Sequence, residues 1–346
     1  MASVDVTVRG AGIFGLSIAW SCLRGGAKVR VVDPYGPCAG SSGGLVGALA
    51  PHVPENWNPK KAFQLESLLM AEGFWHAVEA EGGVSPDYAR SGRLQPVADD
   101  AALELARARA LSARELWGDA AVWELIRAED AGPWAPLSPS GWLIRDTLSA
   151  RMSPRRAGAA LQAALAVRGV EIVPEAEDEG AVLWATGWRG LLDLSQALDR
   201  PVGTGIKGQS VLLRHDTGEV PQVFAGGLHI VPHHDGTVAL GSTTEREFDD
   251  PSSTDDQCDA LVERAVAAMP VLHGAEVVER WAGARPRARS RAPMLGPWPD
   301  RPGHYIANGG FKIGFGMAPK VAEVMTALML DGRDTIPDGF RVEDSL

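Results

Sequence analysis

The stretch ending at Asp33 constrains this chain more than any other. Asp5–Arg9 reads as a strand, Gly10-Ala11-Gly12-Ile13-Phe14-Gly15 as a glycine turn, and the segment to about Arg24 as a helix. Val29–Val32 then reads as a second strand, closed by Asp33. A G-x-G-x-x-G turn between strand and helix, with an acid at the end of the next strand, is the pattern of a βαβ unit that binds a dinucleotide. Gly10 permits the tight turn, Gly12 lets a pyrophosphate approach the backbone, and Gly15 lets the helix close on the sheet. The helix N-terminus offers free N–H groups and the positive end of its dipole to phosphates. Asp33 is placed to accept hydrogen bonds from a ribose diol.

At 346 residues the chain has room for two domains. No apolar run approaches the roughly 20 residues of a membrane span, and a strand so near the start leaves no room for a signal peptide. The three cysteines, Cys22, Cys38 and Cys258, have neither disulfide nor metal-ligand spacing. These features predict a cytoplasmic protein without a membrane partner or a metal. The net charge of −11 argues against nucleic acid. A homo-oligomer stays open.

Further along, Pro34–His52 is rich in small residues yet apolar through Leu45–Ala50, which suits a backbone lying against a large planar ligand better than a solvated linker. Helical periodicity covers 60–81 (Phe63, Leu65, Leu68, Leu69, Phe74, Trp75, Val78) and 101–118. Ser153-Pro154 opens a third helix. Val170–Val173 reads as a strand. Ala181–Gly187 resembles the last parallel strand of a dinucleotide domain, with Thr186 and Gly187 near the ligand. Short strands at 210–214, 223–224, 229–232 and 237–241, with a His234-Asp235-Gly236 turn, predict an inserted antiparallel sheet. A helix at about 255–268, a strand at 277–285 and a turn rich in proline and arginine follow. The chain closes with a strand at 304–307, a second glycine run over 309–316 and a helix from about Pro319 to Leu330.

Taken in order, these segments resemble one family. They are the opening fingerprint, Gly40-Ser41-Ser42-Gly43-Gly44 with Ala50-Pro51, Ala185-Thr186-Gly187, and Lys207-Gly208-Gln209. His229-Ile230-Val231-Pro232 through Gly241-Ser242-Thr243-Thr244-Glu245, Trp281-Ala282-Gly283-Ala284-Arg285-Pro286 and the Gly309–Pro319 run complete the series. The pattern is similar to the FAD-dependent D-amino acid oxidase superfamily, nearest its glycine oxidase-like branch. The resemblance implies an α/β fold: a doubly wound parallel FAD-binding sheet with an inserted antiparallel-sheet substrate domain of α+β type. The FAD domain would comprise 1–82, 146–203 and 291–346, and the substrate domain 83–145 and 204–290.

The resemblance also implies noncovalent FAD on Gly10, Gly12, Ile13, Phe14, Gly15 and Asp33, with its ring facing the junction between domains. Further contacts would come from Ser41, Ser42, Gly43, Gly44 and Leu45, from Thr186 and Gly187, and from Gly310, Phe311, Lys312, Ile313 and Gly314. The implied reaction oxidises a small amine or amino acid (glycine, sarcosine or a D-amino acid) by hydride transfer to the flavin. An imine results and, with oxygen as electron acceptor, hydrogen peroxide. Arg285 matches the family arginine that pairs with a substrate carboxylate. His229 stands where glycine oxidases tend to carry a tyrosine, and Lys312 is implied near the flavin pyrimidine or the carboxylate. A dehydrogenase with another acceptor and a non-catalytic flavin-binding subunit are the alternatives. Arg9, Arg287–Arg291 and the short acidic run at 175–179 depart from the family pattern. A buried Arg9 needs a partner that the sequence does not name.

Overall fold

The computed structural model describes residues 4–346. Its helices are α1 (Ile13–Arg24), α2 (Pro59–Gly82), α3 (Asp100–Trp117), α4 (Pro154–Val167), α5 (Gly187–Ala197), α6 (Gln257–Ala268) and α7 (Gly314–Asp331). They surround one mostly parallel sheet and one mostly antiparallel sheet, and a two-stranded ribbon pairs Ala48–Leu49 with Ala150–Arg151.

The parallel sheet is built on Val6–Arg9, paired with Val29–Val32 on one side and Ala181–Trp184 on the other. Ile172–Val173 extends one edge and His304–Asn308 the other, and Met294–Pro297 closes it antiparallel. Ala181–Trp184 is therefore an inner strand. The last parallel strand is His304–Asn308, which the chain reaches only after its long excursion through the second sheet.

Helices α1, α2, α4 and α7 pack on one another beside this sheet and share its core. Helix α2 buries Phe63, Leu68, Ala71, Trp75 and Val78 on one stripe, while Leu69, one residue off the stripe, faces solvent. Its ends follow local chemistry. The Asn58 side chain accepts the Lys61 N–H, Pro59 fills the first turn, and Gly83 closes it in the left-handed region. Ser153 caps α4 in the same way, as its sequence predicts.

The second sheet has the order Glu276–Ala288, Gly203–Arg214, Thr237–Gly241, Leu228–Pro232, Gln222–Ala225, Arg93–Pro96, Trp142–Asp146 and Trp123–Arg127. All its pairings are antiparallel except that of Gln222–Ala225 with Arg93–Pro96. Two further sequence expectations are corrected here. Pro286 and Arg287 lie inside the Glu276–Ala288 strand rather than in a turn. That strand is at the sheet's edge, where a proline without an N–H is tolerated. Helix α7 begins at Gly314, before Pro319, so the end of the glycine run, Gly314 and Gly316, forms part of the helix's first turn.

Close packing of α1 on the sheet rests on Gly15. A Cβ there would lie 1.8 Å from the Gly10 carbonyl oxygen. Gly15→Val should therefore cost about 3 kcal/mol or more, since neither backbone can yield. Urea unfolding checks this, and an unchanged midpoint would contradict the packing.

Candidate active site

The two glycine runs meet. The position of a Cβ on Gly310 lies 2.9 Å from Phe14 Cζ, and that of Gly314 3.5 Å from Ile13 Cγ2. Between these bends and the antiparallel sheet lies a cavity of about 1060 Å³, lined at one end by Asp33 and Tyr35 and at the other by Arg285 and His229.

At the first end, Asp33 anchors the glycine turn. One carboxylate oxygen accepts the Ala11 N–H at 2.7 Å and the other the Tyr35 N–H at 2.9 Å. Each oxygen keeps a lone pair for a further donor. Ser42 Oγ accepts the Ile13 N–H at 3.0 Å, which ties the Ser41–Gly43 turn to the start of α1. The remaining N–H groups of α1's first turn have no partner within the helix. Arg9 also lines this end, and its partner is now visible. Nε donates to Asp178 at 2.6 Å, Nη2 donates to the Ala176 carbonyl at 3.0 Å, and the guanidinium lies 5.3 Å from the Trp184 ring centroid. The trimmed acidic run thus neutralises the odd strand arginine.

At the second end, period-two alternation along Glu276–Ala288 puts Trp281, Gly283 and Arg285 on one face and buries Ala282 and Ala284 on the other. Gly283 pairs with Gly208 on the neighbouring strand. A Cβ on Gly208 would sit 2.1 Å from Arg285 Nη2, and one on Gly283 2.4 Å from the Trp281 ring. The glycine pair is the floor on which both side chains lie. Arg285 Nη1 donates to Ser242 Oγ at 2.5 Å, and Nη2 donates to the carbonyls of Thr243 at 2.8 Å and Lys207 at 3.3 Å. Nε is buried without a partner. Burial lowers the Arg285 pKa to about 10 against the pull of Glu245, so it stays cationic at neutral pH.

His229 faces the same chamber, its ring 4.6 Å from that of Phe224 and its Nδ1 unpartnered. Burial, aided by the charges of Arg93 and Lys312, pushes its pKa down to about 4, so it is neutral at pH 7. Lys312 Nζ donates to Thr244 Oγ1 at 3.0 Å, and burial and Arg285 lower its pKa.

The expected site residues Gly10, Gly12, Ile13, Phe14, Asp33, Ser41, Ser42, Gly44, Leu45, Thr186, Gly187, His229, Arg285, Gly310, Phe311, Lys312 and Gly314 all line the cavity. Gly15, Gly43 and Ile313 do not. Gly15 faces the Gly10 carbonyl, and Gly43 faces the Cys38 carbonyl, 2.6 Å from a would-be Cβ. Ile313 packs on the core ahead of α7. Sequence reasoning missed Arg9, Tyr35, Trp188 and Arg189, the last of which lies 4.7 Å from the Tyr35 ring and 5.0 Å from that of Trp188. Its only signal was its place just after Thr186-Gly187.

The profile described as FAD dependent oxidoreductase (DAO) matches residues 5–328, and the chain belongs to this family. It is 36% identical over 164 residues to the glycine oxidase of Pseudomonas putida, 47% of this chain and 44% of that one. In such alignments the chain spans about half the length of the curated relatives it matches. Iminodiacetate oxidase from Chelativorans sp. BNC1 superposes with a TM-score of 0.84 at 20% identity, covering 97% of this chain and 98% of that one. Glycine oxidase from Geobacillus kaustophilus gives 0.83 at 20% identity, covering 97% and 96%. At that identity the likeness is one of fold.

The residues fit an FAD. The cavity is large, a helix N-terminus and an acid line one part of it, and orphaned polar atoms of Arg285 and His229 line another. Gly12 offers a clean test. Its backbone (φ −83°, ψ −176°) suits any residue, and within 4 Å a Cβ would meet only Ser42 Oγ at 3.2 Å. Gly12→Val should keep most of its melting temperature yet purify with little FAD; full occupancy would contradict a pyrophosphate at α1.

His229 gives a second test. The unfolded chain gains a proton as pH falls through 6.5 that the folded chain accepts only near 4. Stability is thus full above pH 6.5 and declines below it. His229→Phe should be less acid-sensitive by about 2 kcal/mol between about pH 7.5 and about pH 5 in urea titrations. Equal slopes would contradict a buried neutral ring.

Proposed function

We propose that this protein oxidises a small carboxylated amine, with FAD bound noncovalently along the cavity. In this reading 1–82, 146–203 and 291–346 form the FAD domain and 83–145 and 204–290 the substrate domain. The observation that carries the reading is Arg285: a buried guanidinium with an unpartnered Nε, lining the same cavity as the Gly10–Asp33 unit. Burial also holds the Cys38 thiol near pKa 12 and the Cys22 thiol near 11. Protonated thiols make poor nucleophiles, which favours noncovalent binding.

When bound, FAD supplies the two-electron acceptor. Arg285 holds the substrate carboxylate and so aims the α-carbon at the strip formed by Gly44–Ala48 and Gly310–Gly314. A planar guanidinium is suited to this because it grips two oxygens and keeps its charge when buried. The cationic surroundings disfavour an ammonium, so the amine binds with its lone pair free. His229, neutral at pH 7, contributes a hydrogen bond and no charge. Oxidation removes a hydride from the α-carbon and a proton from nitrogen. The resulting imine is hydrolysed by water, and dioxygen takes up the two electrons together with two protons, the equivalent of the hydride and proton lost by the amine, as hydrogen peroxide.

Arg285→Ala should retain FAD but lose about 10²-fold in kcat/KM for carboxylated amines, mostly through KM, the scale of removing one partner from a buried charge pair. Arg285→Lys should recover part of the loss. Steady-state peroxide assays with glycine, sarcosine and D-alanine test this. Unchanged KM values would remove the carboxylate clamp, and turnover only with an artificial acceptor would replace oxygen in the scheme.

A further inference from the structure

The charges around the second end of the cavity are one-sided. The acids lining the cavity are Asp33 and Asp193, both at the end next to α1 and α5. Among the described residues the Arg285 end is lined by two cations, Arg285 and Lys312, and no carboxylate. Both lie by one ring: Arg285 Cζ is 5.5 Å and Lys312 Nζ 5.8 Å from the Phe311 centroid, with Arg287 Cζ at 5.6 Å. Phe311 is fixed there. Its backbone is left-handed (φ 45°), and its N–H donates to the Pro286 carbonyl at 2.9 Å.

Among the described residues none of these three cations forms an ion pair. Lys312 and Arg285 donate only to neutral oxygens. Glu245, whose charge Arg285 feels, is already engaged by Lys207, Gln209 and Thr243. The cationic field continues outward through Lys60 and Arg291, in a chain whose net charge is −11.

A neutral amine with one carboxylate would offset Arg285 and leave Lys312, at the solvent-exposed rim of the cavity, without an anionic partner. We propose that the pocket takes amines bearing two acidic groups, one carboxylate on Arg285 and the second on Lys312. This rests on the reading of the site as one for carboxylated amines, and it names the substrate class within that reading.

Sarcosine and iminodiacetate differ by a single carboxylate and make the comparison direct. The wild-type enzyme should favour iminodiacetate by about tenfold or more in kcat/KM, about the scale of one charge-assisted hydrogen bond. Lys312→Met should lower that ratio about tenfold, and Lys312→Arg should keep it. The ratio cancels any effect the lysine exerts on the flavin. Calorimetry with the non-oxidisable pair methoxyacetate and oxydiacetate supplies a readout independent of turnover, and oxydiacetate should bind more tightly in a Lys312-dependent manner. Oxidation of sarcosine as efficient as that of iminodiacetate, or an equal loss for both in Lys312→Met, would overturn the dianionic site and leave the amine oxidase reading standing. If neither amine is oxidised but oxydiacetate binds through Lys312, the oxidase reading fails and the dianionic site holds.

Discussion

The structure depends on one contact: the opening glycine turn against the closing glycine bend. At Gly310 the Phe14 ring occupies the space a side chain would need, and Gly314 lies within van der Waals reach of Ile13. Two segments almost 300 residues apart in the chain thereby form one wall. The antiparallel sheet, inserted between them in sequence, supplies the opposite wall. A long cavity follows from this closure, with a helix N-terminus at one end and a sheet-borne arginine at the other.

Electrostatics then divide the cavity into two halves. Near α1, acids and backbone N–H groups alternate: Asp33 is tied to the glycine turn, and Arg9 is neutralised by Asp178. Near Arg285 the lining is cationic and the histidine is held neutral. A buried cation with an open donor is costly unless an anion meets it, so in the proposed reading this half receives the anionic group of the substrate. In that reading the cations favour a carboxylate on the substrate and an unprotonated nitrogen, whose lone pair assists oxidation at the adjacent carbon.

The glycine fingerprint, the serine cap of α4 and the inserted sheet were legible in the sequence because each has a local cause: turn geometry, a hydroxyl facing free N–H groups, period-two alternation. Arg285 was legible through its motif. Its setting was not, because the paired glycines Gly208 and Gly283 that make room for it lie 75 positions apart and declare themselves only across the strand pair. Pro286 looked like a turn residue because nothing local reveals that its strand is at an edge. Arg9 found its partner in an acidic run 169 residues away. Long-range pairings of this kind set the charge balance of the cavity.

The most direct measurement is anaerobic mixing of the purified protein with sarcosine or iminodiacetate while the flavin absorbance is followed. Bleaching of the oxidised flavin band, with one equivalent of carbonyl product per flavin, is the predicted result. A protein that carries no FAD and takes up none, or one whose flavin stays oxidised with every carboxylated amine, would contradict the central claim.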